Sequence, residues 1–285
     1  MIDMLARNLK IYFRDKSAVF FSLFGALLII GLYALFLSDT MTDTIELDKG
    51  GKFIMNSWVM GGLIAAATAT TGMGAYGVMV NDKANKNYKD FYASPVKKSK
   101  IVASYLLDAI CVSTIMTLIT FVLAELYIVA NDGDWLSFSQ SLKVIGVILL
   151  TVLSSCAIVC FICSFLNSSQ AFSGCSILVG SSIGFLTGSY VPIGSLPKGV
   201  QNILSILPCT HAAALLRQLM TETPIKDGLA GSPKEYITGF KEEMGIVLKI
   251  GDYTCTATTH ILFIVGSAII FYILSIAFIS HKKNR

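Results

Sequence analysis

Charged side chains are scarce in this sequence. Asp, Glu, Lys and Arg make up 14% of its 285 residues, whereas hydrophobic residues make up 54%. Soluble domains usually carry about 25% charged residues, so the composition argues against a soluble domain and predicts a membrane protein. The net charge is only +4, and the basic residues lie beside apolar runs. A nucleic-acid-binding protein would instead present a basic face on a polar domain.

Motifs for catalysis, nucleotide binding and metal binding are also missing. No phosphate-binding loop of the form G-x-x-x-x-G-K-[ST] occurs, and "GMGAYG" at 72–77 lies inside an apolar run without a preceding strand. The three histidines are scattered. Cys160 and Cys163 form a CxxC pair, but in an apolar run, where cysteine packs as a small hydrophobe. We therefore expect no catalytic residue, no metal site and no cofactor in this chain.

Long apolar runs are the dominant feature. A membrane span needs about 20 apolar residues, and six runs meet this length. The first is too long, and its entry too mixed, for a cleaved signal peptide. The predicted fold is therefore an all-α membrane protein with one transmembrane domain over 1–285. Its six predicted spans are Ala18–Leu37, Phe53–Val80, Ile101–Val129, Leu142–Leu166, Phe172–Val191 and Ile261–Ser280.

Basic residues predict the orientation of these spans. Thirteen of the 22 lysines and arginines lie before the first span, between the second and third spans, or in the C-terminal tail. An even number of spans places these three segments on one side, which the positive-inside rule identifies as the cytoplasm. We expect a multi-pass protein of the cell membrane with both termini cytoplasmic. Cys209 and Cys255 would both lie on the outer side, where the two alternatives are a disulfide between them and two free thiols.

The N-terminal segment 1–17 has apolar residues at helical spacing. Ile2, Leu5, Leu9, Tyr12 and Phe13 recur with a period near 3.6, which predicts an amphipathic helix in the membrane interface. The alternative is a simple extension of the first span.

The connector between spans two and three is rich in lysine. "DKANKNYKDFY" is compatible with a short helix, which "ASPV" would end because the residue before a proline resists the helical region. The segment near 82–95 is therefore either a helix that docks into a partner or an ordinary solvated basic loop.

The segment 192–258, before the last span and tail at 259–285, contains five of the six prolines. Pro192, Pro197 and Pro208 divide apolar stretches that are too short to span. We expect two short re-entrant helices, followed by an outer-face helix marked by Tyr236 and Phe240.

Two stretches carry a resemblance to a known family. "NDKANKNYKDFYASPVKKSK" and "YVPIGSLPKGVQNILSILPCTHAAALLRQL" resemble the coupling loop and the proline-rich segment after span five in permease subunits of type-2 ATP-binding-cassette exporters. This sequence has Asp82, Ala84 and Asn87 where the family's loop usually carries glutamates and a glycine.

The resemblance implies a coupling helix that docks into a separate ATP-binding-cassette ATPase, which would bind ATP and Mg²⁺. It also implies a second permease copy or a sister permease, and export of an amphipathic drug, peptide or lipid substrate through the lipid membrane. No nucleic-acid partner is expected. The implied ATPase-coupling residues are Asp82, Lys83, Tyr88, Phe91, Tyr92 and Pro95.

Spans two and five are expected to line the substrate path, because their middles are rich in small, weakly polar and soft residues. Acidic residues inside a span are costly and often functional, which makes Glu125 and Asp108 candidates. His211 and Arg217, on the predicted re-entrant pair, are further candidates. The candidate path or gate residues are Met60, Thr68, Met73, Glu125, Ser176, Phe185, Pro192, Pro197, Pro208 and Arg217.

Other functions remain open at this point. An autonomous channel or ion-coupled carrier would favour a central ionisable pair or inverted repeats. A membrane-embedded enzyme would favour a clustered catalytic set. The sequence contains neither pattern.

Overall fold

A computed structural model of the protein describes residues 2–32, 50–87 and 98–281. These residues are almost entirely helical, which agrees with the predicted all-α membrane protein. The helices are α1 Ile2–Arg14, α2 Lys16–Leu32, α3 Gly50–Ala84, α4 Lys98–Ala130, α5 Phe138–Phe165, α6 Ser169–Leu186, α7 Lys198–Leu204, α8 Pro208–Gly228, α9 Lys234–Glu243 and α10 Ala257–His281.

Within the described residues, five helices are long and apolar enough to cross a membrane: α3, α4, α5, α6 and α10. The count rises to six if the bent pair α7 and α8 forms one broken span. The protein is therefore a multi-pass membrane protein. The predicted first span corresponds to α2, whose described part has 17 residues and ends at Leu32; the rest of that span lies outside the described residues.

Helix α3 is the central helix of the bundle. Within its most apolar window, 83% of the residues are buried, whereas the figure for both α6 and α10 is 11%. It packs against α4, α5, α6 and α8, while α10 packs on α5 and α8. Small residues such as Gly61, Gly62 and Ala65 allow the neighbouring helices to approach α3 closely.

The prediction for the end of span five was wrong by five residues. Helix α6 stops at Leu186 rather than Val191, because Gly188 adopts a left-handed backbone with φ +66°. The Ser189 and Tyr190 amides then hydrogen-bond to the Gly184 carbonyl, so the chain turns back where a straight helix was expected.

The second helix of the proline-rich segment is longer than predicted. Helix α7 has 7 residues and α8 has 21, and they meet at 91°. Helix α8 extends past Met220 to Gly228 and contains Pro224 in its interior, whereas a short re-entrant helix was expected. At a helical rise of about 1.5 Å per residue, the 21 residues of α8 span about 31 Å.

The remaining elements are short. Helix α9 confirms the helix expected around Tyr236 and Phe240. A hairpin follows, with β1 Lys249–Ile250 pairing antiparallel to β2 Tyr253–Thr254. Helix α1 ends at Arg14, and α2 begins at Lys16, with the Asp15 carboxylate accepting the Ala18 amide at 3.0 Å. The two helices are thus separate elements.

Candidate functional site

A cleft of about 690 Å³ lies between α1, α2, α3 and α6. Along α3 it extends from Leu63 to Asp82, which corresponds to roughly 28 Å at the helical rise. On α6 it extends from Phe172 to Ile183. The cleft therefore follows most of the thickness of a hydrocarbon core.

Helices α3 and α6 run antiparallel along this cleft. The Ser169 hydroxyl lies 2.9 Å from Asn81 Oδ1, and a Cβ atom on Gly77 would lie 3.4 Å from the Phe172 ring. Continuing one turn in each helix places Ser176 at the level of Met73. Both residues line the cleft. These two candidate path residues thus face one space, on the two helices that the sequence favoured.

Two further path candidates lie in the interior instead. Met60 is completely buried in the core. The Thr68 hydroxyl contacts the Ala65 carbonyl at 2.7 Å and the Ser155 hydroxyl at 2.9 Å, which joins α3 to α5. Phe185 is 56% exposed and stacks edge-on with Tyr190, but it is not among the residues that line the cleft.

Helices α1 and α2 form a wall that sequence reasoning missed. Ile11, Tyr12, Asp15 and Phe21 all line the cleft. The amphipathic pattern of the N-terminal segment predicted helix α1 but did not predict that it packs against α3. Tyr12 is only 2% exposed, and its hydroxyl lies over Gly74 of α3. The only sequence signal was that α1 carries a large aromatic on its apolar face.

Glu125 is placed away from the cleft, near the end of α4. It is 5% exposed, and its Oε2 atom accepts the Leu136 amide at 3.1 Å. This contact ties α4 to the turn before α5. Asp108, on the same helix, is also buried.

The three candidate prolines mark helix ends. Pro192 precedes the 3₁₀ turn Ile193–Ser195, Pro197 is the N-cap of α7, and Pro208 is the first residue of α8. At these positions no helical amide bond is lost. Their role in the structure is to set the bends of this segment.

Arg217 is a fully buried cation on α8. Its guanidinium donates to the carbonyls of Thr187 and Gly188 at 2.9 Å each, and its Nε atom donates to the Trp58 carbonyl at 3.3 Å. The guanidinium also lies 4.3 Å from the centroid of the Trp58 ring. Arg217 thus joins α8 to α3 and to the end of α6, and it is not among the residues lining the cleft.

His211 meets a histidine that the sequence did not connect to it. Its Nδ1 atom lies 2.8 Å from His260 Nδ1, and its Nε2 atom lies 2.9 Å from the Ser205 carbonyl. Gln218 Nε2 lies 3.3 Å from the other nitrogen of His260. Both histidines are fully buried. This chain of contacts joins α8 to α10 and to the end of α7.

Asp82, a predicted coupling residue, forms a buried junction at the end of α3. Its carboxylate accepts two bonds from the Arg7 guanidinium at 2.8 Å each, one from the Tyr105 hydroxyl at 2.6 Å and one from Asn87 at 3.1 Å. The bond to Asp82 raises the pKa of Arg7, so this residue stays charged. Asp82 therefore anchors α1 to α3 and α4.

Of the other predicted coupling residues, the structure describes only Lys83. The Lys83 ammonium donates to the Cys163 carbonyl at 3.3 Å, at the end of α5. Tyr88, Phe91, Tyr92 and Pro95 lie outside the described residues. The junction around Asp82 is thus the last described structure before that loop.

Metal and thiol chemistry receive no support from the geometry. In the ranges that the structure describes, no group of three or more His, Cys, Asp or Glu side chains is arranged to hold a metal ion. All seven cysteines are free thiols, including Cys209 and Cys255. The disulfide that the sequence left open is therefore not formed in this structure.

Comparison with known proteins matches most of the chain. Residues 40–277 fit the sequence profile of a family described as ABC-2 family transporter protein. A 92-residue stretch, 32% of this chain, is 28% identical to "Nodulation protein J" of Rhizobium meliloti (strain 1021). That alignment spans only 34% of the relative, so about a third of the relative's length is matched.

Proposed function

The chain belongs to the ABC-2 family of transporter proteins, and we propose that it is the membrane-spanning subunit of an ATP-driven exporter. The observation that carries this proposal is the cleft between α1, α2, α3 and α6, which runs along the membrane-spanning helices. A separate ATP-binding-cassette ATPase would bind ATP and Mg²⁺ and hydrolyse the nucleotide. The permease itself would carry no catalytic residue.

The end of the bundle that carries the Asp82 junction faces the cytoplasm in this proposal. Segments 1–17 and 81–100, which contain Arg7 and Asp82, are rich in basic residues, and positive residues are favoured on the cytoplasmic side. Both termini are then cytoplasmic. The bent helices α7 and α8, together with α9 and the hairpin, face the outside.

The cleft serves as the substrate path. Its walls are mainly apolar, and Met73 and Ser176 both line it. The outer face of α6 is exposed, with Ile177 at 71% and Leu178 at 67%. A second permease copy, or a sister permease, would cover this face and enclose the path. A drug, a peptide or a lipid of amphipathic character would pass through it.

The Asp82 junction transmits motion from the ATPase. The loop with Tyr88, Phe91, Tyr92 and Pro95 docks into the partner, and the end of α3 moves with it. Because Arg7 and Tyr105 bind the same carboxylate, a shift of Asp82 also moves α1 and α4. Helix α1 lines the cleft through Ile11 and Tyr12, so this movement changes the width of the path.

Gentle co-purification tests the proposal. The tagged full-length chain is extracted from its native membranes with and without crosslinking, and the proteins that accompany it are identified. A stoichiometric ATP-binding-cassette ATPase, whose hydrolysis drives uptake of an amphipathic dye into inside-out vesicles, is the expected result. A chain that is recovered alone even after crosslinking would contradict the proposal and favour an autonomous channel or carrier.

A further inference from the structure

Three buried hydroxyl groups in the cleft have no hydrogen-bond partner among the described residues: Tyr12 Oη, Ser22 Oγ and Ser176 Oγ. A buried hydroxyl without a partner is unfavourable, so most such groups are paired. Eight buried side-chain atoms of the described chain lack a partner. That three of them line one cleft indicates that the cleft is built to bind a hydrogen-bonding group.

The three hydroxyls converge on one level of the cleft. The Tyr12 hydroxyl lies 3.7 Å from the position that a Cβ atom on Gly74 would occupy. The antiparallel register of α3 and α6 places Ser176 beside Met73, at the same height. Ser22 lies close to Tyr12, but the two hydroxyls are not placed to form a hydrogen bond with each other. The polar part of a molecule bound at this level can therefore meet hydroxyls from α1, α2 and α6.

Ser176 differs from other serines of α6 in having no partner. A serine in a membrane helix ordinarily bonds a carbonyl one turn earlier. Ser173 bonds the Ser169 carbonyl at 3.0 Å, and Ser181 bonds the Leu178 carbonyl at 3.2 Å. Both lie on α6 but outside the cleft lining. Ser176, on the same helix, makes no such bond.

The charges in the cleft select against an anionic ligand. No lysine or arginine is among the described residues that line it, and its two ionisable acids are Asp15 and Asp82. Asp82 is already bound to Arg7, and Asp15 accepts the Ala18 amide. An anionic group would enter an apolar space that has the Asp15 carboxylate but no cation in its lining, which is unfavourable at low dielectric.

We propose that the cleft binds an amphiphile whose polar part is uncharged and bears hydroxyl or amide groups, held by Tyr12, Ser22 and Ser176. The alkyl part of the molecule lies along the apolar walls of α3 and α6. This inference rests on the proposed function, because it names the substrate class of the same path.

Photolabelling of the full-length chain in lipid nanodiscs tests this inference without the ATPase. The probe is a diazirine-bearing alkyl glucoside below its micellar concentration. Its competitors are a glucoside, a sulfate and a trimethylammonium compound with the same alkyl chain. Labelling is expected on α3 and α6 within the cleft. The unlabelled glucoside should compete about tenfold better than either charged compound. The sulfate adds an anion to a cleft without a lining cation, and the trimethylammonium group cannot form a hydrogen bond with the three hydroxyls.

Variants of the hydroxyls give the second arm of the test. Ser176→Ala and Tyr12→Phe should each weaken glucoside binding about fivefold, the effect of one hydrogen bond. The matched controls Ser173→Ala and Ser181→Ala should bind as the unmodified chain does. Equal competition by the sulfate, equal binding by all four variants, or labelling outside the cleft would each overturn the inference.

Failure of this inference and failure of the proposed function can be told apart. ATP-driven transport by a chain that the glucoside probe labels elsewhere would contradict the substrate class and leave the exporter standing. A labelled cleft, with the expected competition, in a chain that associates with no ATPase would support the binding site and contradict the exporter.

Discussion

The Arg7 guanidinium and the Asp82 carboxylate lie 2.8 Å apart, although 75 residues separate them in the chain. Arg7 is on α1, and Asp82 is in the last turn of α3, where the lysine-rich connector begins. The side chain of Asp82 is 6% exposed and that of Arg7 is 34% exposed. This pair ties the N-terminal helix to the helical bundle.

Arg7→Gln is expected to destabilise the protein by about 1–2 kcal/mol. The loss stays below that of a fully buried pair because part of Arg7 is solvated. It leaves the Asp82 carboxylate with Tyr105 and Asn87 only. Thermal unfolding in mild detergent measures the effect. The control Lys10→Gln changes an exposed cation on the same helix, and an equal loss in both variants would contradict a specific role for the pair.

Gly62→Ala is expected to disturb the buried cation on α8. A Cβ atom on Gly62 would overlap the Arg217 guanidinium and the Ser189 hydroxyl, and such overpacking costs about 1–3 kcal/mol. Gly146→Ala on α5 meets no atom within 4 Å and provides the control. Thermal unfolding compares the two. A Gly62→Ala protein as stable as its Gly146→Ala counterpart would show that the packing around Arg217 is looser than described.

The sequence predicts where the membrane-spanning helices lie better than it predicts where they end. Apolar runs of spanning length located α3, α4, α5, α6 and α10, because hydrophobic periodicity and length are local properties. The end of α6 and the length of α8 were missed, since Gly188 and Pro224 look alike as breakers in sequence. Only tertiary packing decides that the chain turns at Gly188 and continues as helix through Pro224.

For the candidate site, the sequence predicted some of the residues that line the cleft but not the contacts between distant residues. The small and soft residues of spans two and five pointed to Met73 and Ser176, which do line the cleft. Arg217 was a reasonable gate candidate because a cation among apolar residues is costly. Its partners are backbone carbonyls and the Trp58 ring, contacts that no spacing in the sequence reveals. The same is true of the pairing between Arg7 and Asp82.

Phe91→Ala together with Tyr92→Ala is expected to uncouple transport from ATP hydrolysis while the chain still inserts. Aromatic anchors contribute most of the energy of many protein interfaces, so removal of both should lower transport by about tenfold. Export from cells and ATPase activity of the purified complex are measured together. Unchanged export would contradict docking through this loop, and loss of membrane insertion is checked by quantifying the chain in membranes.

Cysteine labelling checks the orientation of the chain. In a background without reactive native cysteines, Glu46→Cys should react with an impermeant maleimide from outside intact cells. Lys89→Cys should react only after permeabilisation, because the basic connector is expected on the cytoplasmic side. The reverse pattern would invert the proposed topology, including the assignment of the bent helices α7 and α8 to the outer face.

The most direct test of the account is to fill the cleft and measure ATP-driven uptake of an amphipathic dye into inside-out vesicles. Gly180 lines the cleft, and a Cβ atom there meets nothing within 4 Å, so Gly180→Phe adds bulk to the path itself. Gly146→Phe adds the same bulk on the exposed face of α5. The account predicts that Gly180→Phe lowers the uptake rate at least about tenfold, while Gly146→Phe transports normally. Equal transport by both variants would contradict a substrate path between α1, α2, α3 and α6.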